Sequence, residues 1–395
     1  AGMLRMEDEN THMHIGAVAL FEKGPLSTPE GQLRIDLIRS ATESATQRTP
    51  RFRQKLAWIP LLDHPVWVDD ARFNLRFHVR HTALPPPGDE RLLKRLAGRI
   101  LSQEFDRGKP LWETYFVDGL ADDRLAVVSK VHHCLADGVS GVKIGTLLVG
   151  ASPDYEPKPP RPWVPRPAPG DARLVLEELR HRVGAPFDLM RAAAQRAGEK
   201  KSEEPSASRP GLRAMFDNAG AAFRGSAATP LNIEIGPHRR FDWVAFPFAE
   251  VRAIGKAVGG TLNDGVLAIA SGALRAFLQR RGEAVDDLDF HAVVPVSVRR
   301  QGEQGALGNR VSGLLARLPV DEPDPMSRLE RVVETTRELK ASGQSGAGDL
   351  MAQALDLLPN QLLMPIFRSA ASNVPANLVI TNVPGARVPV YMLGA

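Results

Sequence analysis

Eight prolines fall between Pro153 and Pro169, and no other feature constrains the fold of this chain as strongly. Proline has no amide proton and a fixed φ, so a run of this kind neither joins the middle of a sheet nor continues a helix. It reads as an extended linker. At 395 residues the chain is also longer than one hydrophobic core usually serves, about 250–300 residues. Together these predict an ordered part over 1–152, a Pro-rich linker with a basic helical segment over 153–236, and a second ordered part over 237–395. The basic segment, Asp171 to Lys201, has Arg180, Arg182, Arg191 and Arg196 among apolar residues.

Within each part, runs of two-residue and of 3.6-residue period alternate, which predicts an α/β class. The first part should hold strands over Ile15–Phe21 and Leu125–His133, with helices over Leu33–Thr46, Glu90–Glu104 and Val139–Leu148. The second should hold helices over Phe248–Val258, Leu262–Arg280 and Met326–Ala341. Its strands should cover Phe290–Val298, Ser312–Leu318 and Ala376–Thr381. No internal repeat is visible.

Composition narrows the function classes. The chain is 43% hydrophobic and 24% charged with a formal charge of +4, which suits a folded globular protein. That charge is small for the length, and no arginine-aromatic pattern or basic tail points to a nucleic acid. The single cysteine, Cys134, excludes a disulfide or a thiolate metal cluster within the chain and is compatible with the cytoplasm. The least charged stretch, near Thr261–Leu274, is too short for a bilayer span of about 20 apolar residues. Membrane contact would have to be peripheral. The basic helix could touch an anionic membrane or a lipid droplet, or be an ordinary solvated face.

The chemistry concentrates in Lys130-Val-His-His-Cys-Leu-Ala-Asp-Gly-Val-Ser-Gly141. A strand ends in two histidines, and a loop with Asp137 and Gly138 leads into a helix. Side chains alternate along a strand, so His132 and His133 should point to opposite sides, one free to face a cleft. Histidine can take a proton from a hydroxyl near neutral pH, and Gly138 suits a tight turn. From the residues alone three other readings stand: satisfied polar groups at a strand end, a metal site, or Cys134 as an acyl-carrying nucleophile. Diverging histidines weigh against the second and diverging neighbours against the third.

HHCLADG matches the HHxxxDG motif of CoA-dependent acyltransferases with the chloramphenicol-acetyltransferase-like fold. Further segments resemble one branch, the bacterial wax ester synthase/diacylglycerol acyltransferase family. They are HMHIGAVALFE, RFRQKL at 51–56, Pro110-Leu111-Trp112-Glu113, GGTLNDGVLAIASGALR, Val294-Pro-Val-Ser-Val-Arg299, Gly308-Asn309-Arg310 and Thr381-Asn-Val-Pro-Gly385. The resemblance implies two acyltransferase domains facing across a substrate tunnel. It also implies that the second lacks the family's final strands after Ala395.

The implied reaction moves a fatty acyl group from acyl-CoA, as substrate, to diacylglycerol or a long-chain alcohol, with no cofactor and no metal. His133 would be the general base, His132 would orient the loop, and Asp137 would pair with Arg310 or Arg299. Asn263 would donate a hydrogen bond to the oxyanion; read locally, it could instead cap the helix. Pro110, Leu111, Trp112, Asp264, Ser297, Gly308, Asn309 and Arg310 would bind substrate, although Trp112 alone reads as a core aromatic. The expected location is cytoplasmic, with peripheral contact at the inner membrane or lipid droplets. A condensation-type enzyme using a carrier-protein thioester and a non-catalytic lipid-binding relative are the competing functions.

Overall fold

The computed structural model describes residues 4, 7–136, 148–154, 159–180, 184, 227–297, 311–341, 376–383, 385–386 and 388–393. In the first part β1 (His14–Glu22), β4 (Val79–Ala83), β5 (Trp112–Asp118) and β6 (Arg124–His132) form one sheet in the order β1-β6-β5-β4. The β1–β6 and β5–β6 pairs are antiparallel and the β4–β5 pair is parallel. A hairpin of β2 (Gln54–Ile59) and β3 (His64–Asp69) stands apart from it.

This sheet is covered on both faces, which explains why β6 is almost continuously buried. Leu125, Val127 and Val131 join the cluster that includes Ile38, Ala41 and Ala45 of α1 (Ile35–Gln47). The alternate residues Ala126 and Val128 pack with Leu93, Leu96, Ala97 and Ile100 of α2 (Glu90–Leu101). That spacing of three and four puts the α2 residues on one helical face. Its start is fixed by Asp89, whose side chain accepts the Leu92 N–H at 2.8 Å.

In the second part β8 (Phe290–Ser297) lies between β9 (Val311–Leu318), antiparallel, and β10 (Leu378–Val379), parallel. Phe290, Ala292 and Val294 alternate inward and meet Leu267 and Leu278 of α5 (Leu262–Arg280). Leu329 and Val332 of α6 (Pro325–Ala341) complete that cluster. The shorter α4 (Phe248–Ala257) precedes α5; Gly265 of α5 lies so near it that a Cβ there would come within 3.0 Å of the Val251 carbonyl.

Chain order and spatial order part company at two places. Phe241 and Trp243 pack against the α2 face of the first sheet, with Lys94 Nζ 4.4 Å above the Trp243 ring and 2.6 Å from Asp242. Near the C-terminal end, β11 (Tyr391–Met392) pairs with β7 (Val149–Gly150), and Met392 is buried in the first core.

Most expected elements are present within a few residues of their predicted bounds. Sequence periodicity missed the β2–β3 hairpin, β4 and β5. Residues 171–180 of the basic segment are helical, and the rest of it, residue 184 excepted, lies outside the described residues. So does nearly all of the helix expected over Val139–Leu148.

Candidate active site

The last residues of β6 are held from several sides. His14 of β1 is the register partner of His132, and the His132 N–H donates to the Leu111 carbonyl at 2.9 Å. The His132 side chain is 1% exposed. Its Nδ1 accepts the Cys134 N–H at 3.1 Å, so Nδ1 carries no proton and Nε2 does. That Nε2–H points at Glu7 Oε2, 3.2 Å away. Glu7 Oε2 also accepts from Arg107 Nη2 at 2.8 Å, and Oε1 accepts the Met13 N–H at 3.2 Å. Burial opposes ionisation of Glu7, but the hydrogen bonds from His132, Arg107 and the Met13 N–H outweigh it and hold the carboxyl well below the usual carboxylate range.

His133 opens α3, a single turn over His133–Ala136. Its backbone N–H donates to the Met13 carbonyl at 2.8 Å. The side chain is half-buried, and its Nδ1 is buried with no hydrogen-bond partner among the described residues. The strand expected to run through His133 ends at His132, and His133 opens the helical turn, so the alternation expected of two strand neighbours does not apply to this pair.

Around them lie other buried titratable groups. Burial pushes His14 down to about 4; its Nε2 donates to the Leu101 carbonyl at 2.8 Å and its ring stacks on His12 at 5.4 Å. Lys130 is fully buried, donates to the Gln103 carbonyl at 2.8 Å and sits 4.4 Å over the Phe105 ring. Burial lowers its pKa.

Leu111 and Trp112, expected to bind substrate, have their side chains in the first core. Trp112 Nε1–H donates to the Phe52 carbonyl at 2.8 Å, and its ring stacks on His78 at 4.7 Å. The link from this segment to the histidines is the Leu111 carbonyl, next to Pro110.

On the second body, α5 begins with a reciprocal cap. Thr261 is the N-cap: its Oγ1 accepts the Asp264 N–H at 3.4 Å, and its own N–H donates to Asp264 Oδ2 at 2.7 Å. Thr261 thus displaces the reading of Asn263 as the helix cap. Asp264 is 2% exposed, and its second oxygen, Oδ1, accepts from Thr336 Oγ1 of α6 at 2.8 Å. Both oxygens of this residue, expected to bind substrate, are committed to holding the helix. Asn263 is half-buried in the first turn.

Ser297 ends β8 opposite Val311. Asp137, Gly138, Arg299, Gly308, Asn309 and Arg310 lie outside the described residues. Among the described residues no three His, Cys, Asp or Glu side chains converge as metal ligands. A cleft of about 530 Å³ is lined by Arg48, Arg53, Arg161 and Trp163 among others, and shares no residue with the histidine site.

Sequence reasoning missed Glu7, Met13, Arg107, Thr261 and Thr336. Of these only Thr261 carried a local signal, the Thr-x-x-Asp spacing of a capping box.

Known proteins resemble this chain over nearly its whole length. The profile of the wax ester synthase/diacylglycerol acyltransferase catalytic domain matches residues 1–266, and that of the WS/DGAT C-terminal domain matches 307–395. A Mycobacterium tuberculosis protein assigned as a diacylglycerol O-acyltransferase is 33% identical over 397 residues, covering 98% of this chain and 80% of its own. A second from the same organism is 32% identical over 414 residues, covering 100% and 82%. The solved wax ester synthase/diacylglycerol acyltransferase from Marinobacter aquaeolei VT8 superposes with a TM-score of 0.62 at 26% identity, covering 99% of this chain and 82% of that one. With matching profiles over both bodies and relatives aligned almost end to end, this chain is an acyltransferase and belongs to the wax ester synthase/diacylglycerol acyltransferase family.

Proposed function

We propose that the chain transfers a fatty acyl group from acyl-CoA to diacylglycerol or a long-chain alcohol, yielding triacylglycerol or wax ester, with His133 as general base. One observation carries the choice of base. Both ring nitrogens of His132 are engaged, by Cys134 N–H and by Glu7, whereas His133 Nδ1 has no partner among the described residues. A general base needs a free lone pair within reach of the hydroxyl proton.

In this reading the His133 imidazole takes the acceptor hydroxyl proton as the oxygen attacks the thioester carbonyl. The tetrahedral intermediate collapses with cleavage of the C–S bond. The imidazolium then returns the proton to the departing CoA thiolate. No acyl-enzyme forms, and Cys134 is a bystander. Asn263 donates to the oxyanion, aided by the partial positive charge of the α5 N-terminus. Asp137 pairs with Arg310 or Arg299 to hold the loop. No cofactor or metal enters the cycle.

Lipid acceptors place the work near a membrane or droplet surface. Among the described residues no helix is long and apolar enough to cross a bilayer. The helix over 171–180 displays exposed Leu176 and Leu179 beside Arg173 and Arg180, which fits peripheral contact.

The test is release of free CoA from palmitoyl-CoA with hexadecanol or diolein as acceptor. His133→Ala should cut the rate about 10²- to 10⁴-fold while the fold is kept. Near-normal turnover by a folded His133→Ala protein would remove His133 as base. Transfer from a carrier-protein thioester but not from palmitoyl-CoA would favour the condensation-type enzyme.

A further inference from the structure

A helix leaves its first amides without partners inside the helix. At α3 these include the N–H groups of His133 and Cys134, on the two peptide bonds nearest the proposed base. The first donates to the Met13 carbonyl at 2.8 Å, and the second to His132 Nδ1 at 3.1 Å. Both acceptors belong to residues whose other polar end is gripped by one side chain. Met13 N–H donates to Glu7 Oε1 and His132 Nε2–H to Glu7 Oε2, each at 3.2 Å. Arg107, at 2.8 Å from Oε2, supplies the countercharge.

We propose that Glu7 is a positioning residue for acyl transfer: its carboxylate fixes His132 as the Nε2–H tautomer and so clamps the backbone on both sides of His133. The proposal rests on His133 being the base.

A carboxylate is what the geometry requires. Three donors, Met13 N–H, His132 Nε2–H and Arg107 Nη2–H, converge on its two oxygens. An amide of the same shape would turn an NH₂ toward at least one of them, donor against donor. If that NH₂ faced His132, the ring would accept at Nε2 and carry its proton on Nδ1. Nδ1–H would then oppose the Cys134 N–H, and one arm of the clamp would open. Glu7 touches no reacting atom, so its loss should act through placement of the imidazole, where small displacements are costly in rate.

The experiment compares the full-length wild type with Glu7→Gln, Glu7→Asp and Glu7→Ala. With palmitoyl-CoA and hexadecanol, Glu7→Gln and Glu7→Ala should lower kcat about 10- to 100-fold. The KM for each substrate should stay within about two-fold, because the binding surfaces are untouched. Glu7→Asp, which keeps the charge on a shorter arm, should recover part of the loss. In parallel, nitrogen-15 NMR of histidine-labelled protein reads the ring directly. Wild-type His132 should be the Nε2–H form at pH 7.5, and Glu7→Ala, which leaves no acceptor at Nε2, should weaken that signature.

Wild-type kcat in folded Glu7→Gln would overturn the proposal. So would a lowered melting temperature with undiminished kcat in the surviving enzyme, which marks a merely structural role. A wild-type His132 protonated on Nδ1 would overturn it even if no variant folds. The ring signature needs no turnover. Failure of wild-type transfer from acyl-CoA would therefore strike the proposed function, while the NMR result still decides the clamp.

Discussion

At the end of β6 the buried His132 has both ring nitrogens engaged, and the next residue, His133, has no partner for its Nδ1 among the described residues. At the start of α5 the buried Asp264 has both oxygens engaged, and the preceding residue, Asn263, is half-buried. In each place one side chain is spent on rigidity beside a residue to which the proposed function assigns a chemical role. The means differ. His132 and His133 straddle a change from strand to helical turn, whereas Asn263 and Asp264 are helix neighbours that diverge by about 100°. The anchors also differ in reach. Asp264 is closed mainly by Thr261, three residues away, whereas His132 depends on Glu7, 125 residues away.

The largest test of this parallel falls on the presented residue of the second body. If Asn263 donates to the oxyanion, Asn263→Ala should lower kcat about 10²- to 10³-fold with KM little changed. The melting temperature should hold, since Thr261 and not Asn263 caps the helix. Steady-state CoA release and a thermal melt on the same preparation decide it. A large drop in melting temperature with normal kcat would make Asn263 a structural residue and break the parallel.

A second test uses pH, because the first body buries neutral imidazoles. Burial pushes both His14 and His78 down to about 4 from an ordinary value of 6.5. Between those limits the unfolded chain binds more protons than the folded one, so stability falls as pH drops from 6.5 to 4. Each histidine should contribute up to about 3 kcal/mol to that loss. The Glu7 contribution has the same sign at lower pH: it is present above 4.5 and is lost as pH falls through about 2. All five tryptophans, Trp58, Trp67, Trp112, Trp163 and Trp243, lie on the first body or pack against it. Tryptophan fluorescence in urea therefore follows that body. His78→Asn should flatten its stability curve between pH 6.5 and 4. An unchanged slope would mean that His78 does not titrate with unfolding.

How much was legible beforehand follows the same division between near and far. The bounds of α5 were readable from its long apolar period, although its true cap, Thr261 with Asp264, was passed over for Asn263. The strand ending at His132 was readable from its β-branched run. By contrast β5, Trp112–Asp118, carries Glu113 and Thr114 among its buried residues, so its sequence lacks alternation. The sheet covers it on both sides, and burial there follows from tertiary packing rather than period. Glu7 sits in a polar stretch with no pattern of its own. Its role exists only once β1 has paired with β6 and brought His14 beside His132. Leu111 and Trp112 show the converse: a family motif drew attention to side chains, while the structure uses a backbone carbonyl.

The smallest expected effect isolates the local anchor. Thr261 closes a capping box at the solvent-facing start of α5, and replacing such a cap with alanine typically costs about 1 kcal/mol. In a body of this size that corresponds to roughly 2–4 °C in melting temperature. Thr261→Ala should show this shift. It should also lower kcat, but less than Asn263→Ala does, because Asp264 keeps its bond to Thr336 and the first turn of α5 stays tied to α6. Thr261→Ala combined with Thr336→Val removes both local holds on Asp264. If Asp264 orients the turn that presents Asn263, the double mutant should lose more kcat than the two single losses combined. Independent effects, with kcat untouched by either change, would leave Asp264 as a stabiliser of the helix and nothing more. The resemblance between the two anchors would then stop at burial.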